Sequence, residues 1–409
     1  MKLYRRENYL KKIRGFYHDT GIIKVITGVR SCGKSCLMQT IVEELEESGT
    51  PAENIICLNL DRRGYLGIKK PEQLDRLIEE KSAAAGIKYL FIDEIQNVRG
   101  FEAVINGFRE EDDYSIFIAG SSSCLLNGEL VTKLTGRYLE FELFTLSFEE
   151  YLGMKRFLGK EVLPDLTAEF DQYISYGGFP KTLEYDSDAD KSSYVNGVIG
   201  EIFEKDIRRR VKIRNKSVFE TVLRYVINNC GAAMSLTGIL DDLHKNGCRI
   251  KRETLSRYIR ILEDAKIIYP CSRFDLRSRR QISVEQKYYL ADLGFYFAFK
   301  TDRGKNYAQA LENVVYIYAV SKGYAVSFGR IGKLECDFVF RMNKGSYAYA
   351  QVCATIMNDT STEDREYRPL EMIRDSYPKY LLTRNDLIQE RSGILHCNIP
   401  IFMKENRMF

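Results

Sequence analysis

The chain has 409 residues, 44% apolar and 29% charged, a length that predicts two or three globular domains and a composition that excludes collagen-like and low-complexity chains. Its 61 basic and 57 acidic residues leave a net charge of only +4, which excludes a histone-like, tail-driven nucleic-acid binder. No apolar run approaches the ~18 residues of a membrane helix, and the first residues lack a signal-peptide core, so we expect a soluble, cytoplasmic protein with no membrane partner.

The first 150 residues alternate short apolar runs with helical patterns. The runs are rich in β-branched and aromatic residues and have the lengths of strands: 22–27, 55–60, 89–92, 115–119 and 139–144. Continuous apolar strands joined by helices are typical of a parallel sheet that is covered on both faces. The pattern therefore predicts an α/β fold for residues 1–150.

A glycine-rich segment follows the first run and opens a helix, and it satisfies the pattern GxxxxGK[ST]. Its glycines let the backbone curl so that N–H groups face a phosphate chain, and the new helix adds its positive end. Lys34 would reach the β- and γ-phosphates, and the Ser35 hydroxyl would bind Mg²⁺. An ordinary glycine-rich turn is the alternative. The spacing predicts a site for ATP and Mg²⁺ formed by Gly28, Val29, Arg30, Ser31, Cys32, Gly33, Lys34, Ser35 and Cys36.

The run at 89–92 ends in the acidic pair Asp93-Glu94, which supplies the second half of such a site. Asp93 would hold the magnesium ion through water, and Glu94 would orient and deprotonate the attacking water. Simple solvation of a strand end by two carboxylates is the alternative. We expect Asp93 to be a metal ligand and Glu94 to be catalytic.

Two further residues are candidates for catalysis. Ser121, just after the run at 115–119, could contact the γ-phosphate or the water, and an equally open reading is a helix-capping role. Arg137 could be an arginine finger, which neutralises charge on the transferred phosphoryl group and is worth ~10³ or more in rate. A surface arginine is the alternative at that position.

The rest of the chain changes character twice. Helical periodicity dominates 149–205, broken by Tyr-Gly-Gly-Phe-Pro at 176–180. Helical segments at 235–245 and 252–264, followed by a strand at 267–274, suggest a winged helix-turn-helix. A closing α/β unit is predicted from a helix at 309–322 and strands at 325–328, 335–340 and 347–352.

Segments along almost the whole chain resemble the prokaryotic AAA-type ATPases that carry an uncharacterised C-terminal domain. They include KVITGVRSCGKS (24–35), FIDEIQNV (91–98), LTGRYLEFELFTLSFEEYL (134–152), YGGFPKTL (176–183) and EQKYYLADLGF (285–295). The resemblance implies a P-loop ATPase core with a parallel sheet, a helical lid, a winged helix-turn-helix and a restriction-endonuclease-like α/β domain, and it makes Arg137 a nucleotide-sensing residue. We place these domains at 1–150, 151–212, 213–280 and 281–409.

A nuclease of the last fold needs a helix glutamate, a strand aspartate and an E/QxK motif, whose carboxylates bind Mg²⁺ and whose lysine stabilises charge at the scissile phosphate. Glu312, Asp337 and Gln351 fall at suitable spacing. The lysine position, however, holds Cys353, which is neutral and supplies no cation. We therefore predict a catalytically lapsed nuclease site at Glu312, Asp337 and Gln351.

Positive charge is concentrated in three segments, 207–216, 249–260 and 273–287. Such clusters bind phosphate backbones through counterion release. The second segment covers the predicted recognition helix, which would enter the major groove of duplex DNA with Lys251, Arg252, Arg257 and Arg260. A solvated helix face or a protein-binding surface is the alternative.

Together these patterns predict an ATP-binding protein that hydrolyses ATP slowly with Mg²⁺, as a molecular switch coupled to duplex DNA. One alternative is a nucleotide-gated regulatory module that binds a protein partner without contacting DNA. Another is an ATP-regulated DNA nuclease. The oligomeric state stays open.

Overall fold

The structure is a computed structural model and describes residues 3–120, 136–208, 213, 215–299, 307–342, 345–357 and 360–409. Two compact units are present: Met1–Leu143 with Asp264–Lys266, and Phe144–Glu263 with Ile267–Phe409. The predicted lid at 151–212 falls in the second of these units. None of the helices in the described ranges is long and apolar enough to cross a membrane.

The first unit is built on a five-stranded sheet in the order β2-β3-β4-β1-β5, and every pair of neighbours is parallel. The strands are β1 (Ile23–Thr27), β2 (Ile55–Asn59), β3 (Lys88–Asp93), β4 (Tyr114–Ala119) and β5 (Tyr138–Glu142). Its helices are α1 (Glu7–Ile13), α2 (Lys34–Glu47), α3 (Pro71–Lys81) and α4 (Phe101–Glu110). All five predicted strands are confirmed, and so is the α/β class.

Burial explains why the central strands β1 and β4 were predicted from mostly apolar runs. Every residue of β1 and β4 is buried, because helices cover both faces of the sheet. Since the strands are parallel, the carboxyl ends of β1 and β3 meet at one edge of the sheet. The glycine-rich loop follows β1 at this edge, and Asp93 ends β3 there.

The second unit begins with helices. They are α5 (Phe148–Phe157), α6 (Leu166–Tyr176), α7 (Asp188–Glu201), a π-helix (Ile202–Arg208), α8 (Lys216–Asn228), α9 (Leu236–Lys245) and α10 (Arg252–Asp264). Sequence signals fix several of their starts. The Ser147 side chain accepts from the Glu150 N–H and the Glu150 side chain accepts from the Ser147 N–H, a capping box that starts α5.

A nine-stranded mixed sheet forms the rest of this unit, in the order β13-β14-β12-β11-β10-β9-β7-β8-β6. Its strands are β6 (Ala233–Met234), β7 (Ile268–Asp275), β8 (Arg280–Leu290), β9 (Ala325–Ile331), β10 (Leu334–Arg341), β11 (Tyr347–Val352), β12 (Lys379–Thr383), β13 (Glu390–Arg391) and β14 (Ile394–Asn398). The accompanying helices are α11 (Gly294–Ala298), α12 (Tyr307–Ser321), α13 (Thr360–Glu371) and α14 (Ile399–Lys404).

One sheet thus includes both the hairpin of the predicted winged helix and the strands of the predicted last domain. β7 pairs antiparallel with β8 and parallel with β9, where Ser272 lies opposite Ser327. The predicted boundary between residues 280 and 281 falls at the start of β8. The winged-helix and nuclease-like folds, and the division between them, stay predictions.

Candidate nucleotide-binding site

The glycine-rich loop between β1 and α2 takes a conformation that requires its glycines. Gly28 and Gly33 have φ angles of +138° and +108°. A Cβ atom on residue 28 would lie 2.1 Å from the carbonyl oxygen of Leu143, so that no other residue type fits. Gly33 then caps α2 at its N-terminus. The loop therefore leads the chain directly into the positive end of a helix.

Lys34, the first residue of α2, lies over this loop. Its side chain is buried, and its Nζ donates to the carbonyl oxygens of Gly28 at 3.0 Å and Val29 at 3.1 Å. An ammonium group has three donors, so these two bonds leave one more for an anion. The two hydrogen bonds thus hold the Lys34 ammonium group inside the curve of the glycine-rich loop, where a phosphate would bind.

Asp93 joins β3 to the loop. The Ser35 hydroxyl donates to Asp93 Oδ2 at 2.6 Å, and Asn59 Nδ2 donates to the same oxygen at 3.0 Å. The backbone N–H of Glu94 donates to Asp93 Oδ1 at 3.0 Å. A hydroxyl and a carboxylate in contact are the donor set that Mg²⁺ takes in phosphate sites, so these residues fit the ion.

Glu94 stands beside this pair in an uncommon backbone conformation. Its φ of +56° and ψ of +39° are left-handed, which is rare for a residue with a side chain. Its carboxylate lies 3.6 Å from the Arg30 guanidinium and accepts a hydrogen bond from Gln96 Nε2. The left-handed turn thus places Glu94 next to the loop that carries Arg30.

Other loop residues have supporting positions. Cys32 is fully buried, which raises the pKa of its thiol, and its carbonyl oxygen accepts a hydrogen bond from the buried Arg6 guanidinium at 3.2 Å. Cys36 is exposed on α2, and Ser31 has a φ of +65°. Arg6 and Asn59 were missed by sequence reasoning because their contacts, with Cys32 and Asp93, join distant parts of the chain. Gln96 lies only two residues after Glu94 but belongs to neither of the spaced motifs.

The structure places Arg137 at the amino ends of the strands, opposite the end of the sheet that carries the glycine-rich loop and Asp93. Arg137 precedes β5, and its carbonyl oxygen accepts from the N–H of Ile23, the first residue of β1. Its guanidinium pairs with Glu110 at 3.4 Å and with Asn106 at 3.1 Å, both on α4. Arg137 therefore is not brought together with Glu94 in this chain. Ser121 lies outside the described residues.

The predicted DNA-contacting residues lie along and just before α10. Lys251, Arg252, Arg257 and Arg260 are all exposed. The opposite face of the helix is buried through Leu255, Ile259 and Leu262. In the segment 207–216, by contrast, the charges of Arg208 and Lys216 are partly neutralised by Glu204, at 2.9 Å and 3.8 Å.

The predicted nuclease residues meet in a buried cluster of the second unit. Asp337 Oδ2 accepts from the Val352 N–H at 2.8 Å, and Gln351 Oε1 accepts from the Asp337 N–H at 3.3 Å. Burial and the neighbouring Glu312 carboxylate raise the pKa of Asp337 well above its ordinary value. Cys353 is buried, which raises its pKa to about 12, so it stays a neutral thiol.

A cation nevertheless reaches this cluster, from β8. Lys287 Nζ lies 3.1 Å from Glu312 and 2.8 Å from Glu335. Burial alone would lower the pKa of Lys287, but the carboxylates of Glu312, Asp337 and Glu335 raise it above its ordinary value. Within the described ranges, no three His, Cys, Asp or Glu side chains are arranged to hold a metal ion.

Comparisons with known proteins agree with this geometry. A family described as an AAA domain matches residues 21–152. An uncharacterized protein of Haemophilus influenzae is 34% identical over 379 residues, which cover 92% of each chain. The chain belongs to the AAA-type ATPase family. The expected resemblance to AAA-type ATPases is thereby confirmed.

Other similarities to known proteins extend beyond the AAA domain. Residues 167–306 match a family described as a domain of unknown function. An uncharacterized protein of Methanocaldococcus jannaschii is 28% identical over 85% of this chain and 78% of its own. The solved structure of a Walker-type ATPase of Pyrococcus abyssi covers 73% of this chain and 96% of its own, with a TM-score of 0.52 and 17% identity, a likeness of fold.

Proposed function

We propose that this AAA-type protein binds ATP with Mg²⁺, hydrolyses it slowly, and acts as a molecular switch that engages duplex DNA through its C-terminal half. The observation that carries the ATPase part is the 2.6 Å hydrogen bond between the Ser35 hydroxyl and the Asp93 carboxylate. It joins the glycine-rich loop to the acidic end of a neighbouring strand. This contact favours a nucleotide site over an ordinary glycine-rich turn, because a turn that binds no ligand does not require a carboxylate from another strand beside it.

The residues of the loop have separate tasks in this proposal. Lys34 binds the β- and γ-phosphates, and Ser35 and Asp93 hold Mg²⁺, which neutralises phosphate charge when bound. Asn59 and the Glu94 N–H keep the Asp93 carboxylate oriented from both of its oxygens. The site is thus organised before the nucleotide arrives, which reduces the ordering cost of binding.

Glu94 serves as the base that takes the proton of the attacking water at its carboxylate. In the present arrangement that carboxylate is held by Arg30 and Gln96. A phosphate chain in the loop competes for the Arg30 guanidinium, because arginine binds phosphate oxygens well. Nucleotide binding would therefore release Glu94 for catalysis.

The DNA part of the proposal rests on the exposed basic face of α10. Lys251, Arg252 and Arg260 are exposed and make no ion pair with another residue in the described ranges. The helix order α8–α9–α10 followed by the β7–β8 hairpin supports a winged helix that would present α10 to the major groove. Salt should weaken this binding steeply.

ATP hydrolysis tests the proposal directly. The Lys34→Ala variant should lose ATP binding, because the loop loses its cation. The Glu94→Gln variant should bind ATP normally but hydrolyse it ~10²–10⁴ times more slowly, the usual worth of a general base. The measurements are binding of a fluorescent ATP analogue and release of phosphate, each with and without Mg²⁺. Glu79→Gln, an exposed glutamate on α3, is the matched control.

Retained turnover in the Glu94→Gln variant would contradict the assigned base, and retained ATP binding in the Lys34→Ala variant would contradict the site. Duplex DNA, added over a range of salt concentrations, should change the hydrolysis rate at low salt only. The Lys251→Ala, Arg257→Ala double variant should lose that response. A rate that ignores DNA at every salt concentration would contradict the coupling.

A further inference from the structure

A cavity of about 390 Å³ opens at the turn between β7 and β8, within the second unit. It lies far along the chain from the glycine-rich loop, and its volume is in the range of small-ligand sites, ~300–1,000 Å³. One wall is aromatic, and the mouth carries arginines. The residues that matter for its chemistry are Phe274, Tyr347, Tyr349, Arg277, Arg279 and Arg374.

The aromatic wall comes mainly from β11. The rings of Tyr347 and Tyr349 are parallel, with 4° between their planes, and the Phe274 ring lies 5.9 Å from that of Tyr347. Tyr349 is buried and donates its hydroxyl to Asp375 at 2.7 Å. Tyr347 is only half-buried, so part of its ring remains available to a ligand. Such a ring is a stacking surface for another planar group.

The arginines at the mouth differ in what they already bind. Arg279 is 3.4 Å from Asp375, and its guanidinium lies 5.7 Å from the centre of the Tyr347 ring. Arg277 and Arg374 are exposed and form no ion pair with any residue that the structure describes. Two unneutralised guanidinium groups beside a stacking surface select a ligand that has both a planar ring and an anion.

We propose that this cavity binds one nucleotide of a single-stranded nucleic acid, with its base against Tyr347 and its flanking phosphates at Arg277 and Arg374. A continuous strand is favoured over a free nucleotide because Arg280, the first residue of β8, is also exposed and extends the cationic surface beyond the cavity. A duplex hides its base faces, whereas an unpaired base can stack on tyrosine. This inference rests on the nucleic-acid part of the proposed function but uses neither α10 nor ATP.

Binding of fluorescein-labelled (dT)12 to the full chain, followed by anisotropy without added ATP, tests this site. The Tyr347→Ala variant should weaken binding about 5- to 150-fold, the usual range for loss of one stacked base. Tyr347→Phe should bind like the parent, because it keeps the ring. The Arg277→Ala, Arg374→Ala double variant should reduce the slope of log K against log salt by about 1.4, since single strands lose about 0.7 per phosphate contact.

Arg156→Ala is the matched control, since it removes one exposed guanidinium on α5 that does not line the cavity. Unlabelled thymidine monophosphate should compete far less well than unlabelled (dT)12. If thymidine monophosphate competed as well as (dT)12 at the same molar concentration, the ligand would be a free nucleotide and not a strand, which would overturn the proposal. It would also be overturned by equal binding of a 12-base-pair duplex, or by equal losses in the control and cavity variants. Failure of the α10 variants alone would affect only the duplex coupling.

Discussion

At the scale of single residues, Lys287 has an electrostatic role that the sequence pattern did not indicate. Its side chain is almost fully buried, yet it carries a charge because two carboxylates lie within 3.1 Å of its Nζ. The restriction-endonuclease pattern puts its lysine two residues after Gln351, where this chain has Cys353. The positive charge comes instead from β8, which three strands separate from β11 in the same sheet.

Removing this charge should destabilise the fold. The Lys287→Met variant keeps most of the side-chain volume but leaves the largely buried Glu312 carboxylate without its cation, whereas the more exposed Glu335 keeps Arg330. We expect a loss of about 3–5 kcal/mol in the free energy of unfolding at pH 7.5, the usual result of removing one partner of a buried ion pair while the other stays in place. Urea denaturation followed by circular dichroism measures it.

The loss should be smaller at pH 5.5. Burial already raises the pKa of Glu312 above its ordinary value, although Lys287 opposes that rise, so removing the lysine should raise it further. A carboxyl group with a higher pKa in the folded chain than in the unfolded one binds its proton more tightly when folded, so stability increases as pH falls. Adding Glu312→Gln should restore part of the lost stability at pH 7.5. An equal loss at both pH values would contradict this account.

At the scale of elements, the segment after α6 shows what the Tyr-Gly-Gly-Phe-Pro motif does. Asp292 accepts from the N–H groups of Gly178 and Gly294, each at 2.7 Å. Its carboxylate is buried, which raises its pKa to about 6 although both N–H groups oppose the rise. A Cβ atom on residue 177 would lie 1.8 Å from Asp292 Oδ1. Two segments more than 100 residues apart in sequence thus meet at one carboxylate.

A pair of glycine substitutions tests this close approach. Gly177 and Gly159 both follow helices and have φ angles of +76° and +69°, but only Gly177 has atoms in the place of a Cβ. Gly159→Ala should cost about 1 kcal/mol, from its backbone conformation alone. Gly177→Ala should cost about 3 kcal/mol or more, since it adds a clash to a conformation that only glycine adopts readily. Similar melting temperatures for the two variants would contradict the proposed contact.

What could be predicted from the sequence depended on how local each signal was. The buried strands β1, β3 and β4 are short, mostly apolar runs, and the periodic helix α10 was predicted with the bounds that it has. β8 was missed because it begins Arg280-Gln281 and contains further polar residues, so that its apolar run, residues 288–290, is too short to indicate a strand. The loop and Asp93 follow a fixed spacing, so they could be predicted as a candidate site. Asn59 and Lys287 could not be predicted, since only the folded sheets bring them to their carboxylates.

At the scale of the whole molecule, the position of Arg137 limits how it can act. Arg137 lies beside Ile23, the first residue of β1, whereas the glycine-rich loop follows Thr27, the last residue of β1. The five extended residues of β1 therefore separate Arg137 from the loop by about 16 Å. An arginine side chain does not span that distance. If Arg137 senses nucleotide, the nucleotide is held by a second copy of the chain.

A complementation experiment tests whether Arg137 acts on a nucleotide held by a second copy of the chain. Arg137→Ala should bind ATP but hydrolyse it ~10³ times more slowly, the worth of an arginine finger. Glu94→Gln should also be slow. Mixed in equal amounts, the two variants should recover about a quarter of the parent rate per chain, because an intact Glu94 then meets an intact Arg137 across a shared interface. A mixture no faster than either variant would contradict action between copies.

The nine-stranded sheet also has a practical consequence for dividing this protein into fragments. β7 contributes hydrogen bonds to β8 on one side and to β9 on the other. A fragment that begins at residue 281 would lose β7 and leave both β8 and β9 with unpaired backbone groups, which are templates for intermolecular pairing. Such a fragment would be prone to aggregate even though its sequence looks like a separate domain. Expression of the C-terminal region is therefore best begun at Phe144, where the second unit starts, so that the whole sheet and the Gly178–Asp292 contact are kept.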